Sequence, residues 1–526
     1  MSRSTQRILR VTIVGLVVGA LSALWWLPAP LNSRLASRMA PRTVHREVTV
    51  GLSKLLSGMS PGSFTEDGRG GVRASRGLRS RPVLLCPGIH FTAFGVAWSQ
   101  GDAGSVSASL QTGPSSRRLG PSSSIQAEDA GPDLGTRDAR HPTVRATDPV
   151  WVGDAQCARF TLELSRGSDI SNVRAVFMNT LGTAFGGRPV LGLAEAGTAP
   201  ATAPLAGLIG PSAAEAWAYR PRIITRAHWG ADENLRNCGP DYSPRVKMAF
   251  VHHTDNPNNY SPGQSAAIVR SIYWYHTQVM KWCDIAYNFL VDRYGQVFEG
   301  RYGGMTLPII PAATRGFNFN STAVAAIGNF MIAQPPSAML NAIDRVLAWR
   351  LDVAHVSPVG KAWMKNRAGD IGKFKLGQWV LFNDISGHRD ANYTDCPGDW
   401  LYAKFRAIRT AVFSIGLPKI FNPRESPAHF VYTQGIVTWT ANASARMRWN
   451  LNVLDSENNV VDAWWTRGTS FSVTWNGYTR GGDPVPPGTY TVKLLAWNGS
   501  GKARGADFTL TIDPIPSPSP SPSPSS

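Results

Sequence analysis

Val251-His252-His253-Thr254, Asp284-Ile285-Ala286-Tyr287-Asn288-Phe289 and Gly387-His388-Arg389-Asp390, the last running on to Thr394-Asp395-Cys396-Pro397-Gly398, are the stretches around which the chain is organised. Met248 to Val251 is an apolar run that ends on His252, the pattern of a buried strand whose tip meets a loop, where functional side chains gather. Ser261-Pro262-Gly263-Gln264 then has the form of a helix start, with Ser as N-cap, Pro at the first helical position and Gln three residues on. Ile268, Ile272, Tyr275 and Val279 follow at helical spacing. Asn288 to Val291 and Gln296 to Glu299 read as a hairpin, Thr322 to Ile327 as a buried strand, and Ala338 to Val353 and Leu401 to Val412 as helices. Strands alternating with helices predict an α/β domain built on a mixed β-sheet.

The same stretches hold metal-ligand chemistry. His252, His388 and Cys396 offer two imidazoles and a thiolate, which suit zinc better than magnesium or calcium and leave a fourth position open. A lone His is more often structural than a ligand, so the set rests on the three together. Cys396-Pro397-Gly398 places the thiol at a turn just before a helix, where the N-terminal dipole favours negative charge. The chain has five cysteines. Cys86 and Cys157 lie in one upstream region and Cys238 and Cys283 flank the first histidine motif, so two disulfides leave Cys396 over. That parity supports a ligand role for Cys396.

Working outward, residues 1–29 open with Arg3, Arg7 and Arg10 before the apolar run Val11 to Leu27, the pattern of a secretory signal. The run is near the lower limit of a membrane span, so an uncleaved membrane anchor is the alternative. Residues 30–81 are rich in Arg, Ser and Gly and read as a basic disordered linker. Residues 82–198 carry short alternating runs (Phe91 to Trp98, Ser105 to Leu110, Ala158 to Leu164, Val173 to Met178) that predict a β-sandwich, with 113–149 as a disordered insertion. An Ala- and Pro-rich linker covers 199–220, the central domain 221–418, an immunoglobulin-like β-sandwich 426–513 and a Pro/Ser tail 514–526.

The chain has 526 residues and a formal net charge of +18, with only 11 lysines among 53 basic residues. A basic chain favours anionic partners. The arginines are scattered rather than striped and no base-reading module is present, which argues against nucleic acid. The expectation is an exported or cell-envelope-associated monomer whose partner is an acidic wall.

From Ile223 to Val412 the chain resembles the peptidoglycan recognition protein and zinc amidase family, which includes the phage lysozyme amidases. The matching motifs are Trp229-Gly230-Ala231, His252-His253-Thr254, Trp282-Cys283-Asp284-Ile285-Ala286-Tyr287-Asn288-Phe289-Leu290, Glu299-Gly300-Arg301, Ile327-Gly328-Asn329-Phe330, Gly387-His388-Arg389 and Thr394-Asp395-Cys396-Pro397-Gly398-Asp399. The C-terminal module resembles the immunoglobulin-like domain of flagellar hook-capping proteins.

The resemblance implies one zinc ion on His252, His388 and Cys396, catalytic roles for Tyr287 and Thr394, and hydrolysis of the amide between N-acetylmuramic acid and L-alanine in peptidoglycan. A non-catalytic peptidoglycan receptor and a zinc peptidase cutting within the stem peptide are the alternatives. Ala313 stands where relatives often carry a histidine that is not a ligand, which implies altered substrate contact. His253, His276 and Trp282 are the candidate muropeptide contacts, set against support of the strand or the ligands for His253 and core filling for Trp282. His228 reads as structural, and Arg301 and Asp399 as members of fold-stabilising pairs.

Overall fold

Six short strands form the sheet that carries the histidines. In the computed structural model, which describes residues 41–60, 62–66, 71–100, 105–140, 144–182, 217–368 and 373–516, they lie in the order Ile223–Ile224, Val297–Glu299, Phe289–Val291, Ser321–Ala326, Met248–His253 and Ile385–Gly387. Met248–His253 runs parallel to both its neighbours, and only Phe289–Val291 against Val297–Glu299 is antiparallel. The sheet is therefore mixed, as expected. Met248–His253 and Ser321–Ala326 are buried along their whole length, which is why they read as continuous apolar runs rather than alternating ones.

Helices cover both faces. Ser337–Val353 and Phe405–Ser414 pack Ile343, Val346, Leu347, Ile408 and Val412 against Val251, Phe289 and Val324. On the other face Ser265–Trp274 continues through a wider turn, Tyr275–Val279, and buries Ile268, Ile272 and Tyr275 with Ala323 and Ala325. The backbone N–H of Ser261 donates to the side chain of Gln264 at 2.7 Å, as the helix-start pattern predicts. A hairpin the sequence reading missed, Lys361–Lys365 with Trp379–Asn383, adds a small two-stranded sheet.

The N-terminal region forms a seven-stranded and a five-stranded sheet around one core that contains Phe94, Phe160 and Phe177. Cys86 is bonded to Cys157 there, and Cys238 to Cys283 in the central domain. Two expectations need correction. The stretch expected as a basic linker is structured from residue 41 on: Val44–Thr49 pairs with Asp169–Asn179 over six residues, and Leu52–Leu56 is a helix with Leu55 and Leu56 buried. Widely spaced apolar residues anchor it, and the surrounding Arg, Ser and Gly hide them. The stretch 113–149, expected as a disordered insertion, contains the strands Ser123–Ile125 and Arg145–Ala146 and the turn Asp138–Arg140, with residues 141–143 outside the described set. Four of its acids, Glu128, Asp129, Asp133 and Asp138, find partners in the central domain.

The N-terminal region packs directly on the central domain. Ala93, Ala97, Val176 and Met178 share a core with Ile272 and Tyr275 of the central domain. Gly95 makes this possible: a Cβ there would lie 2.6 Å from the Tyr275 ring. The hydroxyl of Thr180 donates to the carbonyl of Ala267 at 2.8 Å, and the amide of Trp151 donates to Asn256 at 2.7 Å.

The C-terminal strands join in one seven-stranded sheet around Trp439, Trp449 and Leu510. Val437–Leu454 changes partners along its length, pairing with Ile420–Ser426 before a register break and with Gly488–Asn498 after it. Arg504 reaches Asp352 of the central domain at 3.1 Å. Among the described residues no helix is long and apolar enough to cross a membrane. The N-terminal apolar run, most of the 199–220 linker and nearly all of the Pro/Ser tail lie outside the described residues.

One buried ion cluster ties the central loops to the sheet. Arg226 is 4% exposed and donates to Glu233 at 2.7 Å, to Asp284 at 3.0 Å and to the carbonyl of Gly300. Its guanidinium also lies over the Trp229 and Tyr273 rings. Removing it leaves buried Asp284 with backbone amides alone and Glu233 with Arg236 alone, so Arg226→Ala is expected to cost about 3–5 kcal/mol of stability. Chemical denaturation against the native chain measures this, and a loss below about 1 kcal/mol, the scale of an exposed pair, would contradict the cluster's structural role.

Candidate functional site

Strand register places the two histidines. Val251 lies opposite Gly387 in the parallel pair, so the next residues, His252 and His388, leave the ends of adjacent strands together. This is the carboxyl edge of the sheet, where α/β folds build their sites. The rings stand 4.8 Å apart between centroids, and both residues are 1% exposed. His388 opens a short helix, and the following turn brings the chain back: the amide of Arg389 donates to the carbonyl of Cys396 at 2.9 Å. Gly398 closes that turn at φ +88°, and a Cβ on it would collide with the Phe330 backbone. Cys396 Sγ thereby lies 3.7 Å from His252 Nδ1.

One ligand atom from each of His252, His388 and Cys396 falls within 4.8 Å of the others. The donor set fits zinc: two imidazoles and a thiol, all buried, with Nε2 of His388 left without a hydrogen-bond partner. Burial holds the His252 imidazole well below its usual pKa and pushes the Cys396 thiol well above its own. A neutral imidazole is a ready ligand, and a divalent cation would offset the cost of the thiolate.

Supporting bonds fix the donors. Thr314 Oγ1 lies 3.1 Å from His252 Nε2, and the amide of Cys396 donates to Thr394 Oγ1 at 2.9 Å. The motif expectation singled out Thr394 but not Thr314, which directly follows Ala313. Ala313 itself is buried, and its amide donates to Asn318 at 2.8 Å.

Tyr287 points its ring at the group, 5.5 Å from His252 and 6.0 Å from His276. Burial, then the charge of Glu128, raises its phenol well above the usual pKa, so it is protonated at neutral pH. His276 is buried, accepts from the amide of Ala286 at 3.1 Å, and has Nε2 3.4 Å from Glu128. Trp282 is buried against His276 at 4.8 Å, a packed position rather than an open sugar platform. His253 faces away from the group: its Nδ1 accepts from the amide of Phe330, and burial pushes its pKa down to about 3. His228 lies 2.6 Å from Thr225, away from the group, while Arg389 and Asp399 form an ion pair at 2.6 Å.

The residues that sequence reading missed come from the N-terminal region. Asp129 is 3.4 Å from His388 Nδ1 and Glu128 is the partner of His276. Asp133 accepts from the amides of Gly316 and Phe319 and from the Asn318 side chain, and Asp138 takes both guanidinium nitrogens of Arg301 at 2.6 and 2.9 Å. The signal was present: four acids in the eleven residues from Glu128 to Asp138 is unusual in a chain of net charge +18.

A family model described as N-acetylmuramoyl-L-alanine amidase matches residues 242–399. A peptidoglycan-recognition protein of Drosophila melanogaster is 31% identical over 144 residues, which are 26% of this chain and 72% of that protein. The chain belongs to the peptidoglycan recognition protein and N-acetylmuramoyl-L-alanine amidase family. Peptidoglycan recognition protein 1 of Bos taurus is 29% identical over 182 residues, 34% of this chain and 80% of that protein. The mouse protein named N-acetylmuramoyl-L-alanine amidase is 29% identical over 199 residues, 37% of this chain and 32% of that protein. In this family member the matched segment contains all three candidate ligands.

The geometry generates a metal-binding prediction. The dialysed full chain is expected to take up one zinc ion. Thr314→Val, which removes the hydroxyl on His252, should weaken that binding about 10- to 100-fold. Competition with a chromophoric chelator reads both, and Cys396→Ala retaining full affinity would refute the ligand set.

Proposed function

We propose that this chain is an exported, zinc-dependent N-acetylmuramoyl-L-alanine amidase that hydrolyses the amide joining N-acetylmuramic acid to L-alanine in peptidoglycan. The observation that carries the reading is the clustering of His252, His388 and Cys396 beside the protonated phenol of Tyr287, at the carboxyl edge of a sheet belonging to the amidase family. Two paired disulfides support export, since such bonds persist in oxidising compartments.

In this reading His252, His388 and Cys396 hold one zinc ion, which when bound supplies Lewis acidity toward water and the scissile carbonyl. Thr314 fixes the orientation of the His252 ring, and Thr394 fixes the loop that presents Cys396. The Tyr287 phenol donates a hydrogen bond to the carbonyl oxygen as negative charge develops there, and its burial strengthens that bond. The family also contains receptors that bind peptidoglycan without cutting it. The cysteine in the donor set favours catalysis over that second reading, because a receptor has no use for a buried thiolate ligand.

The test incubates the full chain with muropeptides, with and without chelator, and identifies the products by mass. Release of free stem peptide, blocked by chelator and by His388→Ala, is expected. Tyr287→Phe should lower kcat by about 10²–10³-fold, the cost of one lost donor to a developing oxyanion. Cleavage within the peptide would overturn the bond assignment, and binding without cleavage would establish the receptor reading.

A further inference from the structure

The carboxylates paired with His276, His388 and Arg301 belong to one stretch, Glu128 to Asp138, which lies outside the segment matched by the family model. Followed along the chain, the stretch runs from His276 past the donor group to Arg301. Glu128 meets His276 on one wall, and Asp129 stands at His388. The carbonyl of Gly131 accepts from Asn318 at 2.8 Å, and a Cβ on Gly131 would lie 3.2 Å from the Arg315 side chain. Asp133 is capped by the amides of residues 316 and 319, and Asp138 ends the run on Arg301 and on the amide of Cys283 at 2.8 Å. A substrate whose scissile bond must come to His252, His388 and Cys396 needs the same space.

The two ends are held differently. At Ala127 the stretch is tied to its own domain by a bridge to Thr147 and by the amide of Glu128, which donates to the carbonyl of Ala146 at 2.7 Å. Beyond Asp129 the contacts are to the central domain, made chiefly by carboxylates and backbone amides. Leu134 and Gly135 stand exposed between the two docked acids. An acidic peptide seated this way satisfies the cleft as an acidic ligand would, and its tether gives it a high effective concentration.

We propose that residues 128–138 are a built-in occupant of the cleft: the segment holds the Asp129 carboxylate at the donor group and keeps the chain latent until an acidic stem peptide, or removal of the segment, displaces it. The proposal rests on the amidase reading for the identity of the displacing ligand, but the segment's own opening is tested without substrate. Bound ligand and docked segment exclude each other, so the apparent affinity for ligand falls by the fraction of molecules in the open form.

The experiment uses the full chain stripped of metal. Cys396 is the one free cysteine among the described residues, and all four others are disulfide-bonded, so iodoacetamide reports on the donor group alone. Asp133→Asn/Asp138→Asn, which weakens docking at the far end without touching the donors, should raise the alkylation rate about ten-fold. An unchanged rate overturns the proposal. Should that variant not fold, hydrogen exchange on the native chain decides. Amides of 128–138 are expected to exchange by local opening, well before those of Phe91–Gln100 and Cys157–Leu164. Exchange only by global unfolding overturns it.

An N-acetylmuramoyl pentapeptide is then titrated calorimetrically into both chains. Binding about ten-fold tighter to the variant supports latency, and equal affinity sinks it. No binding or hydrolysis by either chain would sink the amidase reading, while alkylation and exchange still decide the segment. Asp129→Asn losing hydrolysis with no gain in affinity would make Asp129 part of the catalytic set and overturn the occupant role.

Discussion

The pairing of Val251 with Gly387 is the constraint on which the rest depends. The two parallel strands are in register at that level, and the residue after each member of the pair is a histidine. A one-residue slip would turn one imidazole to the opposite face of the sheet and separate the donors. The register is held because Met248–His253 is buried on both faces and hydrogen-bonded on both edges. Burial of that strand therefore serves two ends: it closes the core, and it fixes the distance between His252 and His388.

Much of the central domain was legible because its elements obey simple periods. Met248 to Val251 reads as a buried strand, the Ser261–Gln264 pattern as a helix start, and Ala338 to Val353 as an amphipathic helix, and each is close to its place in the structure. The donor set was legible for a different reason. Cysteine parity and residue chemistry isolate Cys396, and motif order supplies the two histidines and Tyr287.

What escaped the sequence has a common physical cause. Residues 113–149 are rich in Ser, Pro, Gly and Asp, and low apolar content reads as a chain that cannot bury enough surface to fold. Here ordering comes from charges that find buried partners far away in sequence, as Asp138 finds Arg301 at a separation of 163 residues. Periodicity carries no information about such pairs. The same holds for Thr314, whose contact with His252 depends on a loop conformation set by Asn318. Composition likewise hid the six-residue pairing of Val44–Thr49, which sits in a stretch rich in Arg, Ser and Gly.

Charge gives the N-terminal region its place in the molecule. The chain as a whole is strongly basic, yet Glu128, Asp129, Asp148, Asp255 and Asp395 lie near one another around the donor group. Burial and their mutual repulsion push Asp255 up to about 7 and hold Asp148 well above the usual carboxylate range. Concentrating like charges in a low-dielectric cleft is unfavourable unless a positive charge compensates. A divalent cation on His252, His388 and Cys396 would do so at the centre, as Arg301 does at the end where Asp138 lies. The acids of the N-terminal region and the metal-ligand set of the central domain are thus complementary halves of one electrostatic arrangement, which explains why two regions of unlike composition share a hydrophobic core instead of swinging on a linker.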